Sequence, residues 1–452
     1  MSHTRREFVR TAGLVVGGVL AGGMGLSARS YARVLGANDR IRVGIVGFSD
    51  RARDALLPSF YQHAKELNAE IVGVSDLWNR RREEALAFVR GRQGNAIRPY
   101  RNNEELYDDR EVDAVIISTA DFQHALHAKE AAENKRHAYV EKPFAETMAD
   151  NRSALAAVKN SGIILQVGSQ RRSGKNYRAA AEYIASGKFG PITMVEMSWN
   201  VNQPGRWRRP ALVAGLKESD TDWKRYLMNR PVEPWNPRKY VEYRLFWPYS
   251  SGIPGQWMCH QIDTVHWFSG FRFPRSVVAN GGLYVWKDGR TNFDTMTAVF
   301  DFGPPERRQE GFQVVYSSRM HNSAGGVKEI YYSNGGELNL ETNRVSPNGG
   351  LSEHHASTMG MRPNLLAETD LAADAVKAAT AAATGTDEMT SLHVRNWLEC
   401  VREGKQPNAP VEAGYYHSVS TIMTTAALRT GQVVTFDDTR QEVIAGGKVF
   451  QY

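Results

Sequence analysis

Cysteine is scarce in this sequence: Cys259 and Cys400 are the only two among 452 residues, and they form no CxxC spacing. Two cysteines exclude the disulfide framework that holds small secreted domains together, and they exclude a zinc ribbon. A single disulfide between these two cysteines is the remaining alternative. A chain of this length, with 42% hydrophobic and 23% charged residues, is instead expected to fold around a large hydrophobic core in two or three domains.

The sequence also has only a small excess of positive charge. The formal net charge is +7, and +3 of it comes from the first 32 residues, which contain Arg5, Arg6, Arg10, Arg29 and a single acid, Glu7. A dispersed excess of four charges over the rest of the chain is too weak to indicate a nucleic-acid-binding surface. We therefore expect no nucleic-acid partner.

A hydrophobic run of membrane-spanning length is missing near the N-terminus. The apolar run from Ala12 to Leu26 has 15 residues, six of them glycine, whereas a span needs about 20. It follows the adjacent pair Arg5-Arg6 and precedes small residues at 28–32, the organisation of a twin-arginine signal peptide. We expect residues 1–32 to be cleaved, the protein to be exported to the periplasm, and no stable membrane span to remain. An uncleaved anchor is the alternative.

Buried strands alternate with helices in the N-terminal third. The pattern predicts strands at 42–47, 71–76, 112–119 and 137–140, with helices at about 51–67 and 123–134. Strands separated by helices of this length are typical of βαβ units and a parallel sheet. We therefore predict a dinucleotide-binding Rossmann domain over residues 38–165.

The glycine-rich turn expected after the first strand is incomplete. Gly47-Phe48-Ser49-Asp50-Arg51-Ala52 keeps the first glycine and the final small residue of G-x-G-x-x-G/A, but serine stands at the middle glycine. The helix N-terminus still supplies N–H donors to a pyrophosphate, and Arg51 adds positive charge. Gly47, Phe48, Ser49 and Arg51 are therefore predicted to bind the cofactor.

Asp76 ends the second predicted strand and is expected to accept hydrogen bonds from the ribose hydroxyls of NAD. A carboxylate at this position would repel the 2′-phosphate of NADP. Arginines 80–82 follow closely, so NADP stays open. A turn or helix-capping role is the structural alternative for Asp76.

Several motifs recur in a fixed order along the chain. They are Ser118-Thr119-Ala120 with His124, Glu141-Lys142-Pro143, Val167–Arg172, Gly255–Asp263, and the closing segments His393–Cys400 and Val411–Arg429. Together they resemble the Gfo/Idh/MocA family of NAD(P)-dependent oxidoreductases, over most of residues 40–440. The resemblance implies an α/β fold: the Rossmann domain, followed at residues 166–452 by an α+β domain with a large, mostly antiparallel open sheet.

The resemblance also implies roles for individual residues. Lys142 and His260 take the catalytic positions. Gln256, Arg171 and Asp263 are expected at the substrate, and Thr119, His124 and Glu141 at the cofactor. A buried lysine can exchange a hydroxyl proton, and a histidine can accept one near neutral pH. Glutamine at 256 departs from the family's aspartate and cannot ionise. His260, Asp263 and His266 do not share one helix face, so no metal site is expected.

The second domain is predicted from short apolar strands and an aromatic loop. Strands are predicted at 192–200, 276–285, 294–302, 311–319 and 327–341, and an Ala/Thr-rich helix or surface arm at 371–384. Seven of the ten tryptophans fall between Trp199 and Trp267, most of them in an irregular loop at 201–250. They can stack on sugar rings, anchor the loop or form a subunit contact.

These features favour an NAD(H)-dependent oxidoreductase that transfers a hydride at a carbinol carbon of a sugar or glycoside. Export implies that the cofactor is retained through turnover, since no free NAD pool is expected outside the cytosol. Retention fits dismutation between two sugars, or redox-assisted hydrolysis like that of the NAD-dependent glycosidases of glycoside hydrolase family 109. A non-catalytic sugar-binding protein is the remaining alternative. The family resemblance implies a homo-oligomer.

Overall fold

The structure, a computed structural model, describes residues 39–371 and 387–452. The predicted signal peptide and nearly all of the Ala/Thr-rich segment lie outside these ranges. Among the described residues, no helix has both the length and the apolar character needed to cross a membrane.

Six parallel strands form the first sheet. They are β1 (Ile41–Val46), β2 (Ala69–Ser75), β3 (Arg98–Tyr100), β4 (Ala114–Ile117), β5 (His137–Val140) and β6 (Leu165–Val167). The helices between them are α1 (Leu57–Ala64), α2 (Asn79–Gln93), α3 (Asn103–Asp108), α4 (His124–Glu133) and α5 (Met148–Ser161). The spatial order β3-β2-β1-β4-β5-β6 confirms the predicted Rossmann fold.

The order of the strands reverses between β1 and β4, and ligands of such sheets bind at that point, beyond the carboxyl ends of the strands. The central strand β1 has the sequence IRVGIV and is buried along nearly its whole length, as expected where helices cover both faces of a parallel sheet. Strand β3 escaped the sequence prediction because it is a three-residue edge strand whose Arg98 and Pro99 are exposed.

Eleven strands form the second sheet. They are β7 (Met194–Asn200), β8 (Ser276–Gly282), β9 (Thr295–Phe302), β10 (Phe312–Arg319), β11 (Val327–Ser333), β12 (Gly336–Asn339), β13 (Arg344–Ser346), β14 (Thr369–Asp370), β15 (Val434–Asp437), β16 (Glu442–Ala445) and β17 (Lys448–Val449). All neighbouring pairs are antiparallel except β7 and β10. The predicted mostly antiparallel sheet is therefore confirmed.

Further α-helices follow β6 along the described part of the chain. They are α6 (Lys175–Ala185), α7 (Pro210–Gly215), α8 (Trp223–Leu227), α9 (Pro237–Val241), α10 (Cys259–Ser269), α11 (Glu353–Thr358), α12 (Glu388–Glu403) and α13 (Val411–Thr430). A π-turn at Pro254–Met258 leads into α10. The loop predicted at 201–250 contains α7–α9, and most of its aromatic rings lie in or against the second core.

Helix α12 belongs to the Rossmann core although it lies near the end of the chain. Val394, Trp397 and Leu398 are buried in one cluster with strands β1 and β2. The Trp397 ring lies 5.9 Å from the ring of Tyr139 in β5. A domain boundary at residue 166 therefore does not separate the core of the Rossmann sheet from the core of the second sheet, because α12, which follows that boundary, packs into the Rossmann core.

His393, also in α12, ties this helix to β6. Its Nε2 lies 2.8 Å from the carbonyl oxygen of Val167, and its Nδ1 lies 2.7 Å from the Ser173 hydroxyl. A ring that donates to a carbonyl through one nitrogen and accepts through the other is neutral. Burial lowers the pKa of His393 to about 4.

This histidine is expected to weaken the folded state in acid. Between pH 6.5 and 4 the unfolded chain takes up a proton at His393 and the folded chain does not, so stability falls as the pH falls through that window. One pKa unit corresponds to about 1.4 kcal/mol, which gives about 2 kcal/mol at pH 5. Urea unfolding at pH 7 and pH 5 should show the stability gap between wild type and His393→Gln narrowing by that amount. The exposed His354→Gln is the control, and a constant gap for His393→Gln would contradict the expectation.

Candidate active site

Two adjoining cavities open at the carboxyl ends of the parallel strands. The first is lined by the turn after β1, by Asp76 and Trp78 after β2, and by Tyr240 and Tyr243 of the loop. The second is lined by Lys142, His260, Gln256 and Trp257. Seven residues line both, among them Arg51, Ser118 and Thr119. The predicted cofactor turn and the predicted catalytic pair therefore meet at one site.

Gly47 makes the turn after β1 with φ of +82°, a conformation that favours glycine. A Cβ here would stand 2.6 Å from Cγ2 of Thr119 and 3.0 Å from the carbonyl oxygen of Ser118. The turn is therefore pressed against the end of β4. Its next residue, Phe48, donates its backbone N–H to Oδ2 of Asp76 at 2.8 Å.

Ser49 replaces the middle glycine without breaking the turn. Its hydroxyl lies 2.6 Å from the hydroxyl of Ser118, and it accepts the backbone N–H of Ala52 at 3.3 Å. The side chain thus ties the start of the helical segment to β4. The π-turn Ala52–Leu56 and α1 follow directly, so the positive end of the segment still faces the first cavity.

Asp76 is held in the place expected for a ribose-binding carboxylate. Its two oxygens accept the backbone N–H groups of Phe48 and Trp78, at 2.8 and 2.9 Å. Each carboxylate oxygen keeps a further lone pair for a ribose hydroxyl. Burial raises the pKa of Asp76.

The three arginines after Asp76 are already engaged with protein groups. Arg81 pairs with Asp50 at 2.8 Å and with Glu84 at 2.9 Å, and Arg80 pairs with Glu84 at 2.7 Å. Arg82 donates to the carbonyl oxygen of Asp76. The first cavity therefore combines a close glycine turn, a helix start and a ribose-type carboxylate, and these residues fit NAD(H).

Lys142 follows β5 and is partly exposed in the second cavity. Its Nζ donates to the carbonyl oxygen of Gln256 at 2.8 Å. Burial lowers the pKa of Lys142, although the neighbouring Glu141 acts in the opposite direction. A lysine in this state gives up its proton more readily than one in water.

Glu141 and Arg51 form an ion pair beside this lysine, with a separation of 2.9 Å. Burial acts to raise the pKa of Glu141, but the charges of Arg51 and Lys142 hold it below the ordinary value. The carboxylate therefore stays ionised and holds Arg51 at the junction of the two cavities. Of these two residues predicted at the cofactor, Arg51 lines both cavities and Glu141 lines only the second.

His124 supports the turn that carries Lys142. Its Nδ1 lies 2.8 Å from the carbonyl oxygen of Pro143, and its Nε2 lies 3.3 Å from that of Thr119. Burial lowers the pKa of His124, so the ring is neutral and donates through one nitrogen only. The shorter contact marks Nδ1 as the donor.

His260 lies in the second cavity on the helix α10. Its ring stacks on that of Trp199, with centroids 5.7 Å apart. Within residues 39–371 and 387–452, its ring nitrogens make no hydrogen bond. Burial and the charge of Lys142 hold the pKa of His260 well below the ordinary value. The imidazole is therefore neutral and free to accept a hydrogen bond from a ligand.

Gln256 is fixed by two charged neighbours that sequence reasoning did not identify. Its Nε2 donates to Asp121 at 2.5 Å, and its Oε1 accepts from Nε of Arg244 at 2.8 Å. The family pattern has a carboxylate at position 256. In this chain a carboxylate is supplied instead by Asp121, to which the Gln256 amide is hydrogen-bonded. No spacing in the sequence relates residues 121, 244 and 256, because three separate elements bring them together.

Arg171 and Asp263 do not line either cavity. Arg171 pairs with the buried Glu329. Asp263 is fully buried and pairs with Arg172 at 2.8 Å. Both were expected at the substrate, and their positions do not support that role, because each is used in a buried ion pair that joins two elements. No cluster suited to a metal ion occurs among the described residues.

Replacing Gly47 with alanine should weaken cofactor binding. The new Cβ would collide with Thr119 in a backbone conformation that costs a non-glycine residue about 1–3 kcal/mol. We expect NAD(H) affinity to fall about tenfold or more, since each 1.4 kcal/mol is a factor of ten. The matched control is Gly94→Ala, which has φ of +80° but no atom within 4 Å of the added Cβ. Equal NAD(H) affinity in the two variants, measured by calorimetric titration, would contradict this view of the turn.

Residues 41–169 match the sequence profile of the Gfo/Idh/MocA family, described as an oxidoreductase family with an NAD-binding Rossmann fold. Within this region the chain is similar to scyllo-inositol 2-dehydrogenase (NAD(+)) of Bacillus subtilis, with 35% identity over 135 residues, 29% of this chain and 38% of that protein. The chain spans less than two thirds of the length of the first curated relatives that it matches.

Solved structures extend the likeness in fold to most of the chain. The WlbA dehydrogenase of Bordetella pertussis, in complex with NADH and UDP-GlcNAcA, is 18% identical with a TM-score of 0.62, and the match covers 88% of this chain and 98% of that one. Aldose-aldose oxidoreductase of Caulobacter crescentus is 18% identical with a TM-score of 0.58, over 88% of this chain and 100% of that one. The NAD-binding profile over residues 41–169 supports NAD(H) as the cofactor. Residues 41–169 therefore carry the NAD-binding domain that characterises the Gfo/Idh/MocA family of oxidoreductases.

Proposed function

We propose that the protein is an NAD(H)-dependent oxidoreductase that acts on a carbinol carbon of a sugar or glycoside and keeps its cofactor through turnover. The observation that carries this proposal is the convergence of Lys142 and His260 on a cavity that adjoins the site of Gly47 and Asp76. A proton-transfer pair at the exit of a dinucleotide site is what alcohol–carbonyl interconversion requires.

Residues of the first cavity would hold the cofactor: the turn at Gly47–Ser49 at the pyrophosphate, and Asp76 at the ribose. Bound NAD(H) accepts or supplies a hydride. Lys142 takes the proton of the substrate hydroxyl in its neutral form and returns it in the opposite direction. The neutral imidazole of His260 accepts a hydrogen bond from the same or a neighbouring hydroxyl and orients it.

The walls of the second cavity suit a carbohydrate. The indole rings of Trp207 and Trp257 line it, with centroids 5.4 Å apart. Both rings are nearly buried, at 7% and 2% exposed, so they give the cavity an apolar wall, and the polar groups around that wall can bind hydroxyls. In contrast, Trp223 and Trp235 pack on each other and on Tyr240, which favours an anchoring role for that part of the loop.

Retention of the cofactor rests on the expected export of the protein to the periplasm by the twin-arginine route. An enzyme without access to a nicotinamide pool must reoxidise its cofactor with a second substrate. The name of the aldose-aldose oxidoreductase describes a reaction between two aldoses, which agrees with a dismutation. The comparisons give no support to a glycosidase, and a homo-oligomer stays a prediction.

Cofactor retention can be tested on the intact protein purified after export. We expect close to one nicotinamide dinucleotide per chain after gel filtration, released by denaturation and identified by mass spectrometry as NAD(H) rather than NADP(H). Protein that carries no nicotinamide cofactor would contradict retention. Protein that also fails to bind added NAD(H) would contradict the proposed function itself.

A further inference from the structure

The second cavity is rich in positive charge. Five cationic side chains line it, Arg51, Lys142, Arg206, Arg209 and Arg244, against four acids. The acids are already engaged with other residues: Glu141 with Arg51, Asp50 with Arg81, Asp54 with Arg53, and Asp387 with the hydroxyl and backbone of Thr390. The cavity therefore offers a ligand more unneutralised positive than negative charge.

Arg206 is the least neutralised of these cations. Its Nη1 donates to the amide oxygen of Gln203 at 2.7 Å, and its guanidinium lies 5.8 Å from the ring centroid of Trp257. It makes no ion pair with any residue in the described part of the chain. Arg209, by comparison, lies 3.4 Å from Asp50, and Arg244 lies 3.9 Å from Asp121. Burial and the two neighbouring arginines lower the pKa of Arg206 to about 10, so it stays charged at neutral pH.

Arg206 is half-buried, and a partly desolvated cation without a counter-ion is costly, because removing a charge from water costs free energy that a paired anion would offset. Arg206 therefore has the chemistry of a site that is completed by an anionic ligand. Guanidinium groups bind carboxylates and phosphates through paired hydrogen bonds.

The position of Arg206 separates it from the cofactor. Arg51, Arg209 and Arg244 line both cavities and can face the pyrophosphate, whereas Arg206 lines only the second, with Lys142 and His260. Trp207 follows Arg206 directly in the chain, and Trp257 lies under its guanidinium. The three side chains together form a surface with an apolar wall and a charged edge.

We propose that the second cavity binds an anionic sugar, whose carboxylate or phosphate group pairs with Arg206. The inference rests on the proposed function for the chemistry at the carbinol carbon. The anion site itself is independent of hydride transfer and can be tested by binding alone.

The test uses full-length protein saturated with NAD(H) and pairs of sugars that differ at one carbon: glucose and glucuronate, galactose and galacturonate, mannose and mannuronate. Glucose 6-phosphate and galactose 6-phosphate form the phosphate arm. Affinity is measured by calorimetry and by the ligand-induced rise in melting temperature, for wild type, Arg206→Gln and Arg206→Lys. Arg272→Gln, at an exposed arginine outside both cavities, is the matched control.

We expect an anionic member to bind wild type at least about tenfold more tightly than its neutral partner. Arg206→Gln should weaken its binding by about 10- to 100-fold, the range of a hydrogen bond to a charged group. Arg206→Lys should retain part of the preference, and Arg272→Gln should retain all of it. Preference for uronates identifies a carboxylate ligand, and preference for phosphorylated sugars identifies a phosphate ligand.

The proposal is overturned if the neutral sugars bind as tightly as the anionic ones, if no anionic sugar binds, or if Arg206→Gln binds them like wild type. Comparing melting temperatures without ligand shows whether each variant is folded. If anionic sugars bind through Arg206 but the protein never reduces or oxidises nicotinamide, the anion site is supported and only the proposed function is contradicted.

Discussion

Replacing Lys142 with alanine is expected to lower kcat/KM for the sugar substrate by about 10²- to 10⁴-fold, the usual contribution of a positioned general acid–base group. The amine has a pKa lowered by burial, and a hydrogen bond to the carbonyl oxygen of Gln256 fixes its position. Bound NAD(H) should be unaffected, since Lys142 does not line the first cavity. The exposed Lys188→Ala is the control, and an active Lys142→Ala enzyme would remove the lysine from the mechanism.

The pH profile gives a second test of this lysine, which does not depend on the size of the loss. In the oxidative direction, Lys142 must be deprotonated to take the hydroxyl proton, so activity should rise with pH through a midpoint below the ordinary range of lysine. Lys142→Arg keeps the positive charge and cannot lose its proton in that range. We expect its residual activity to lack the rising limb. If wild type and Lys142→Arg show the same rise of activity with pH, that rise belongs to the titration of another group.

The largest expected loss of stability follows from the replacement of Asp263 with alanine. Arg172 is nearly buried and pairs with both oxygens of Asp263, at 2.8 and 3.0 Å. Removing one partner of a buried pair leaves an uncompensated charge and costs about 3–5 kcal/mol. The pair joins the turn after β6 to the helix that carries His260, so its loss should also disturb the second cavity.

Urea unfolding measures this loss directly. The control is Asp370→Ala, which breaks the exposed pair with Arg344, and exposed pairs contribute about 0–1 kcal/mol. The double variant Arg172→Met with Asp263→Ala should recover part of the stability, because it no longer buries an unpaired charge. A loss for Asp263→Ala as small as that for Asp370→Ala would show that the pair does not stabilise the fold.

Much of the fold was predictable because strands buried on both faces leave continuous apolar runs, as in β1, β4 and β5. The return of α12 to the Rossmann core was not, because an amphipathic helix near residue 397 indicates a buried face and not the surface against which it packs. Strand β3 is too short and too polar to stand out from a loop.

The position of a residue was predictable where a motif on one element fixes it, as with Gly47, Asp76 and Lys142, and the roles of these residues stay predictions. The substrate-binding role predicted for Asp263 is not supported by its position. Helical spacing places Asp263 on the same side of the helix as His260, but it does not reveal that Arg172 pairs with this carboxylate. Arg206 and Arg244 were missed because they lie in a loop without periodicity, and only the folding of that loop onto the strand ends brings them to Lys142. Ser49 looked like a defect in the glycine turn, whereas its hydroxyl supports the turn through Ser118.

A single-turnover experiment on protein loaded with NAD⁺ tests the oxidoreductase proposal most directly. Sugars of the panel, deuterated at the ring carbons, are mixed with the loaded protein, and the reduced nicotinamide is followed by absorbance and then by mass spectrometry. The proposed chemistry predicts about one reduced nicotinamide per site, with deuterium transferred to it from the sugar, and a rate lowered about 10²- to 10⁴-fold in Lys142→Ala. Protein that binds NAD⁺ and the sugar without transferring deuterium would contradict the proposal and favour a protein that only binds sugars.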